Sequence, residues 1–367
     1  MAKGNKKWWY VLGIAVLILY IILAAGSIPM ETTLKPRWIT SLESNYPVNL
    51  EDFSGQKGDE LLPFRIGNRF GYVGDDGKFS INQTMKGYIS LAENYWAEYE
   101  LLPSSVEVMD PHDKLFFKIE KINGYPLFLD NRIFIIGSEQ NSITALDEEG
   151  GELWSHDFPA PITCIDAAGG YVLAGTLDGA VVLLNSSGTT VFPPFEPGGS
   201  RLSVIVGCAI SQDASQLAII SGVDDQRFLL MARAEVESRG DTYRVVYHEF
   251  ISTGFRRPVE INFMDNEKKI VFEREGGIGI YDIDSHSSVI IKLDGEIAAL
   301  DTSGGDRFLF VITSQGLKKK RFIAIRYPGT VVLDSPFISE NTYFSRRNNR
   351  IFIGGDLSMI SFELEKK

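Results

Sequence analysis

The sequence predicts an all-β fold, a β-propeller of about seven four-stranded blades, and three observations carry that expectation. Short apolar strands recur with tight small-residue turns between them: Ile135, Leu173, Ile219, Phe272, Phe310 and Ile353 centre successive copies, spaced from 38 residues (173 − 135) to 53 (272 − 219). A four-stranded blade repeats at roughly 40–45 residues. β-branched and aromatic residues also cluster in short runs, whereas a 3.6-residue period is strong only near the N-terminus. Finally, about 26 short strands with one period are too many for a two-sheet sandwich.

The chain begins with Lys3, Lys6 and Lys7, followed by an uncharged run from Trp8 to Ala25. A helix of about 18 apolar residues nearly spans a bilayer core, and preceding lysines favour a cytoplasmic N-terminus. The reading is a cytoplasmic stub at 1–7, a transmembrane signal anchor at 8–26, and the remaining chain in the periplasm or extracellular space. Ala24-Ala25-Gly26-Ser27 also offers a signal-peptidase site, but the run exceeds the usual apolar core of about 7–15 residues in a cleaved signal. Residues 27–60 contain Pro29, Pro36, Pro47 and Gly55 and read as a stalk or linker with a possible closing strand. Residues 61–367 are assigned to the propeller.

Two copies are clearest. One runs Arg132–Gly137, Ser142–Asp147 and Glu152–Trp154; the next runs Tyr171–Gly175, Gly179–Asn185 and Thr190–Phe192. Weaker copies centre on Ile219, Phe272, Phe310 and Ile353, and a hairpin extension near Glu235–Asp241 lengthens one of them. An earlier hairpin, Phe70–Val73 into Lys78–Ile81, turns at Asp75-Asp76-Gly77, where Gly supplies the positive φ of a tight turn. The last copy, Thr342–Glu365, lacks a strand, and a segment near residues 46–67 is expected to complete it. Such closure hides open strand edges.

Within the two clear copies, Ala145, Asp147, Gly150 and Trp154, then Gly175, Asp178 and Gly179, form a repeat signature. It resembles that of the pyrroloquinoline-quinone-like propellers, a superfamily that includes quinoprotein dehydrogenases and a propeller lipoprotein of the outer-membrane β-barrel assembly machinery. The resemblance covers residues 132–192; elsewhere the pattern is similar to WD-repeat-like rings. It implies the fold, with the signature tryptophan packing between blades. Trp154 and Trp96 are the only tryptophans in residues 61–367, and the adjacent cysteine pair of quinoprotein alcohol dehydrogenases is absent.

The net charge of −12 argues against nonspecific nucleic-acid binding, which needs clustered cations. His112, His156, His248 and His286 fall in separate units, so no metal site is expected. Asp282-Ile-Asp284 and Asp224-Asp225 lack the remainder of a calcium loop. Paired glycines recur at blade turns without a following helix to bind phosphate, and no Gly-x-Ser-x-Gly elbow is present. Asp147, Asp166 and Asp301 read as turn carboxylates. Cys164 and Cys208 read as buried free thiols, a bridge between them being the alternative in an oxidising compartment.

The basic run Lys318, Lys319, Lys320 and Arg321 is the candidate patch for an anionic partner. No catalytic, cofactor or metal residues are assigned. The expected function is a noncatalytic scaffold, anchored in the cytoplasmic membrane and binding other envelope or membrane proteins. The alternatives are a quinone-dependent dehydrogenase or a small-ligand or glycan sensor, both using the central channel.

Overall fold

The computed structural model describes residues 32–43, 47–49, 61–198, 200–236, 240–251, 254–303 and 307–366. Every regular element among them is a strand, and all pairing is antiparallel. The strands form eight sheets. Blade 1 holds Leu61–Ile66, Arg69–Gly74 and Phe79–Thr84; blade 2 spans Tyr88–Glu120; blade 3, Gly124–Asp157; blade 4, Ile162–Leu184. Blade 5 spans Ile205–Phe250, blade 6 Ile261–Lys292 and blade 7 Glu296–Ile338. Blade 8 joins Tyr343–Arg347, Arg350–Gly354 and Ser358–Lys366 to the N-terminal strand Thr32–Ser41 and the short Pro47–Asn49.

Two expectations are thereby corrected. The ring has eight blades, not about seven, because Tyr88–Glu120 forms a blade of its own. No helix is present among the described residues, hence none that could cross a membrane; the anchor expected at 8–26 lies outside them. The ring is closed by Thr32–Ser41, inside the expected linker, which pairs along Ser358–Lys366 from Thr32↔Lys366 to Ser41↔Ser358. Leu61–Ile66, expected to contribute to closure, is a strand of blade 1 instead.

Blade 1 is also set in a different frame from the one its hairpin suggested. Arg347, at the end of the inner strand of blade 8, donates to the Leu61 carbonyl, while Arg350 pairs with Asp75. These contacts place Leu61 and the Asp75 turn at the same end of the ring. Leu61–Ile66 therefore runs opposite to the inner strands of the other blades, and the three described strands occupy second, third and fourth positions.

What holds the ring is burial between successive blades. Eight buried apolar clusters fill the eight blade-to-blade interfaces, for example Phe134, Val172 and Leu184 between blades 3 and 4, and Leu309, Val311 and Ile280 between blades 6 and 7. The second and third strands are buried on both faces, which explains their continuous apolar runs, such as Phe308–Ile312. Fourth strands face water on one side and alternate, as Glu152–Asp157 does. The closing interface uses Trp38, Leu62, Phe64 and Phe352.

Polar bonds add register between blades. The Ile210 N–H donates to Asp166 at 2.9 Å across blades 4 and 5, Thr302 Oγ1 donates to the Phe263 carbonyl at 2.8 Å across 6 and 7, and Arg132 donates to the Tyr171 carbonyl at 2.7 Å across 3 and 4. Each satisfies a carbonyl or N–H that packing removes from water.

Candidate functional site

In an up-and-down blade, the turn between the second and third strands shares one end of the ring with the linker to the next blade. Hydrogen bonds show this directly: the Leu177 N–H donates to the Pro161 carbonyl, the Val223 N–H to that of Leu202, and the Ser339 N–H to that of Lys318. We call this end the linker face.

The two faces differ in chemistry. On the linker face, turns, linkers and the last residue of the outer strand of blade 7 expose Leu101, Leu102, Leu177, Leu202, Leu317 (79% exposed), Ile338 (83%) and Leu357 (65%). At the opposite face the exposed large apolar side chains among the described residues, Leu115, Leu153 and Val331, lie at the starts of outer strands and not in the turns. Its turns carry Asp75-Asp76, Asp110, Asp130-Asn131, Glu148-Glu149 and Asp265-Asn266-Glu267. Several adopt positive φ, among them Asp130, Asn131 and Asn266, a conformation that short polar side chains tolerate best. Exposed single leucines are ordinary; here they gather in the turns and linkers of one face.

A concavity opens on this face. A groove of about 640 Å³ runs between the outer strand of blade 7 and the outer strands of blade 8, lined by Leu333, Phe337, Ile338, Ile39, Leu357 and Ile360 among others. A smaller cavity of about 320 Å³ lies between blades 6 and 7. There Arg257 clasps the buried Glu273 at 2.6 and 2.9 Å; the hydrogen bond to Glu273 raises the Arg257 pKa and secures its charge. Burial, reinforced by Glu273, raises the pKa of the neighbouring Glu260.

The candidate basic patch divides in the structure. Lys319, Lys320 and Arg321 pair along Ile338, Phe337 and Pro336, placing the run beside the groove. Lys318 and Lys319 are exposed at its rim. Lys320 is buried, its Nζ donating to Ser314 Oγ at 2.8 Å. Arg321 is bound to Asp334 through two nitrogens. The usable cationic surface is thus Lys318 and Lys319.

The repeat signature is structural. Asp147 Oδ1 accepts the N–H groups of Glu149 and Gly151, closing the turn in which Gly150 adopts φ +84°. Asn185 repeats this in blade 4. Ala145 is buried opposite Trp154, which packs between blades 3 and 4. Thr176 donates to Asp178 in the turn at Gly179, and Gly175 lies beneath Cys164. Asp166 and Asp301 hold matching positions, opposite Leu173 and Phe310, but Asp147 does not share them. Among the described residues, no group of three or more His, Cys, Asp or Glu is arranged to hold a metal, and His112, His156, His248 and His286 stay apart in blades 2, 3, 5 and 6.

The exposed leucines were not singled out from sequence, although a signal exists. Leu317 and Leu357 sit inside otherwise polar turns, Gly316-Leu317-Lys318 and Asp356-Leu357-Ser358, against the polar pattern of loops.

A family model described as a beta-propeller protein matches residues 1–367. An uncharacterized protein of Treponema pallidum (strain Nichols) is 24% identical over 366 residues, covering 99% of this chain and 95% of that protein. Among solved structures, BamB from Moraxella catarrhalis superposes with a TM-score of 0.57 at 13% identity, covering 85% of this chain and 99% of that one. The Dos1 propeller gives 0.58 at 9% identity, covering 90% and 95%. Both likenesses concern the fold.

Proposed function

The chain belongs to the beta-propeller protein family, and from that premise we propose that it is a noncatalytic binding platform for another protein of the cell envelope. The observation that carries this is the asymmetry of the faces: exposed leucines and the 640 Å³ apolar groove share the linker face. A rigid ring with many independent loops on one face suits recognition of an extended partner. The groove is open and mostly apolar, with Lys318 and Lys319 at its rim. Its proposed occupant is therefore an extended apolar segment of the partner whose flanks carry carboxylates. Placement outside the cytoplasm rests on the sequence, in which three lysines precede an uncharged run up to Ala25.

The test compares the full-length protein with the variant Leu317→Asp, Ile338→Asp, Leu357→Asp, each isolated from its native membranes after crosslinking. The reading expects a defined partner set with the wild type and its loss from the variant, with unfolding unchanged. Recovery of the same set from both proteins overturns it.

A further inference from the structure

The inner strands of blades 4 and 5, Ile162–Ala168 and Ile205–Ile210, lie unusually close. Thr163 Oγ1 reaches the carbonyls of both Gly175 and Ile205, and the Ile210 N–H donates to Asp166 at 2.9 Å. Between these ties lie the two cysteines of the chain. Both sulfurs lie over one face of the strand Tyr171–Thr176. Cys208 Sγ is 3.8 Å from the Leu173 carbonyl oxygen, and Cys164 Sγ sits where a Cβ on Gly175 would come within 2.7 Å of it. Leu173 and Gly175 are two apart in a strand and so share a face. The absent side chain at Gly175 makes the room in which the two thiols meet, in the core cluster between the blades.

We infer that Cys164 and Cys208 are a disulfide-forming pair that staples blade 4 to blade 5. The oxidant is a small or protein disulfide. Cys164, part-exposed where Cys208 is buried, attacks it as the thiolate, forming a mixed disulfide and releasing one thiol of the oxidant. Cys208 then gives up its proton and displaces the second thiol, closing the S–S bond. In sum, two cysteine thiols lose two protons and two electrons, and one disulfide becomes two thiols. The hydrogen bond with Cys164, with burial behind it, holds the Cys208 thiol well above the ordinary thiol range, which assigns it the second step.

The test incubates the folded full-length protein with oxidised glutathione, quenches with acid, and maps the peptides without reduction. The wild type should lose both free thiols together and yield one crosslinked peptide joining positions 164 and 208, with no glutathione retained. Cys208→Ser should retain glutathione on Cys164. The oxidised wild type should unfold at a higher denaturant concentration than the reduced protein. Persistence of two free thiols, or of a stable glutathione adduct on wild-type Cys164, overturns the inference.

Discussion

A Cβ on Gly188 would come within 2.6 Å of the Trp154 ring, so the outer strand of blade 3 seats against the turn of blade 4 because that turn position is glycine. Gly150 stands in the same relation to Phe117, one blade earlier, with a clash at 2.7 Å, and Phe192 continues the series by packing on Tyr243 with ring centroids 5.2 Å apart. An aromatic of one blade thus packs on the next blade in three successive blades, on a turn glycine for Phe117 and Trp154 and on an outer-strand tyrosine for Phe192.

Gly188→Ala meets both the Trp154 ring and a φ of +75°. It should lower stability by about 1–3 kcal/mol in urea unfolding. Adding Trp154→Ala removes the clash but leaves the φ strain, so the double variant should lose less than the sum of the single losses. Strict additivity would show that the two residues are not coupled.

Closure of the ring depends on Trp38, which is 2% exposed, packs on Phe352 at 6.0 Å and donates Nε1–H to the Asp75 carbonyl at 2.9 Å. Trp38→Ala should cost about 3–5 kcal/mol and increase hydrogen exchange first in Ser358–Lys366, the strand paired with it. A truncation that begins at residue 61 removes Thr32–Ser41 and should aggregate through the exposed blade 8 edge; a soluble fragment must begin before Thr32.

Burial raises the Asp282 pKa, but bonds from the Ser285 N–H, Lys269 and the Tyr327 hydroxyl outweigh it and bring the value to about 2. A folded pKa below the usual 3.8 means that ionised Asp282 stabilises the fold at neutral pH, and that this contribution fades as pH falls from about 4 through 2. Asp282→Asn should therefore be less stable than the wild type by about 2 kcal/mol at pH 7. In urea unfolding the two should converge towards pH 2. Asp166 has the opposite sign: burial raises its pKa against the N–H bonds of Ile210 and Ala167, so its contribution improves on acidification. The comparison with Asp282→Asn isolates one residue from this background.

The basic run separates binding from folding. Lys318→Glu with Lys319→Glu should change stability by less than about 0.5 kcal/mol, as surface substitutions do, while weakening partner recovery. Lys320→Glu buries a carboxylate beside Ser314 and should destabilise the fold outright. Equal stability losses from both would contradict the division seen in the structure.

Much of the ring was legible because its second and third strands are buried on both faces, leaving runs such as Ile133–Ile136 and Leu217–Ile220. All six central positions read from sequence fall in second strands. Blade 2 was hidden because its second and third strands are joined by a single register pair, Trp96↔Met109, across the exposed Leu101-Leu102 turn. That leaves no long apolar hairpin to recognise. The closing strand Thr32–Ser41 was read as linker because Pro36 and its alternating polar residues suit an outer strand facing water, where an unpaired N–H is not missed. The linker face was legible only as isolated leucines in polar turns, such as Leu317 and Leu357. It is assembled from turns far apart in sequence, such as Leu177 and Leu357, and only the shared direction of the blades brings them to one side.

The most direct test of the central claim is site-specific photo-crosslinking in the native cell, from a photoreactive residue placed at Ile338 on the linker face or at Asn131 on the opposite face. The account predicts that the probe at position 338 captures one partner through an apolar peptide flanked by acidic residues, while the probe at 131 does not capture it. Capture of that partner only from position 131, or equally from both, would contradict the assignment of the linker face as the binding surface.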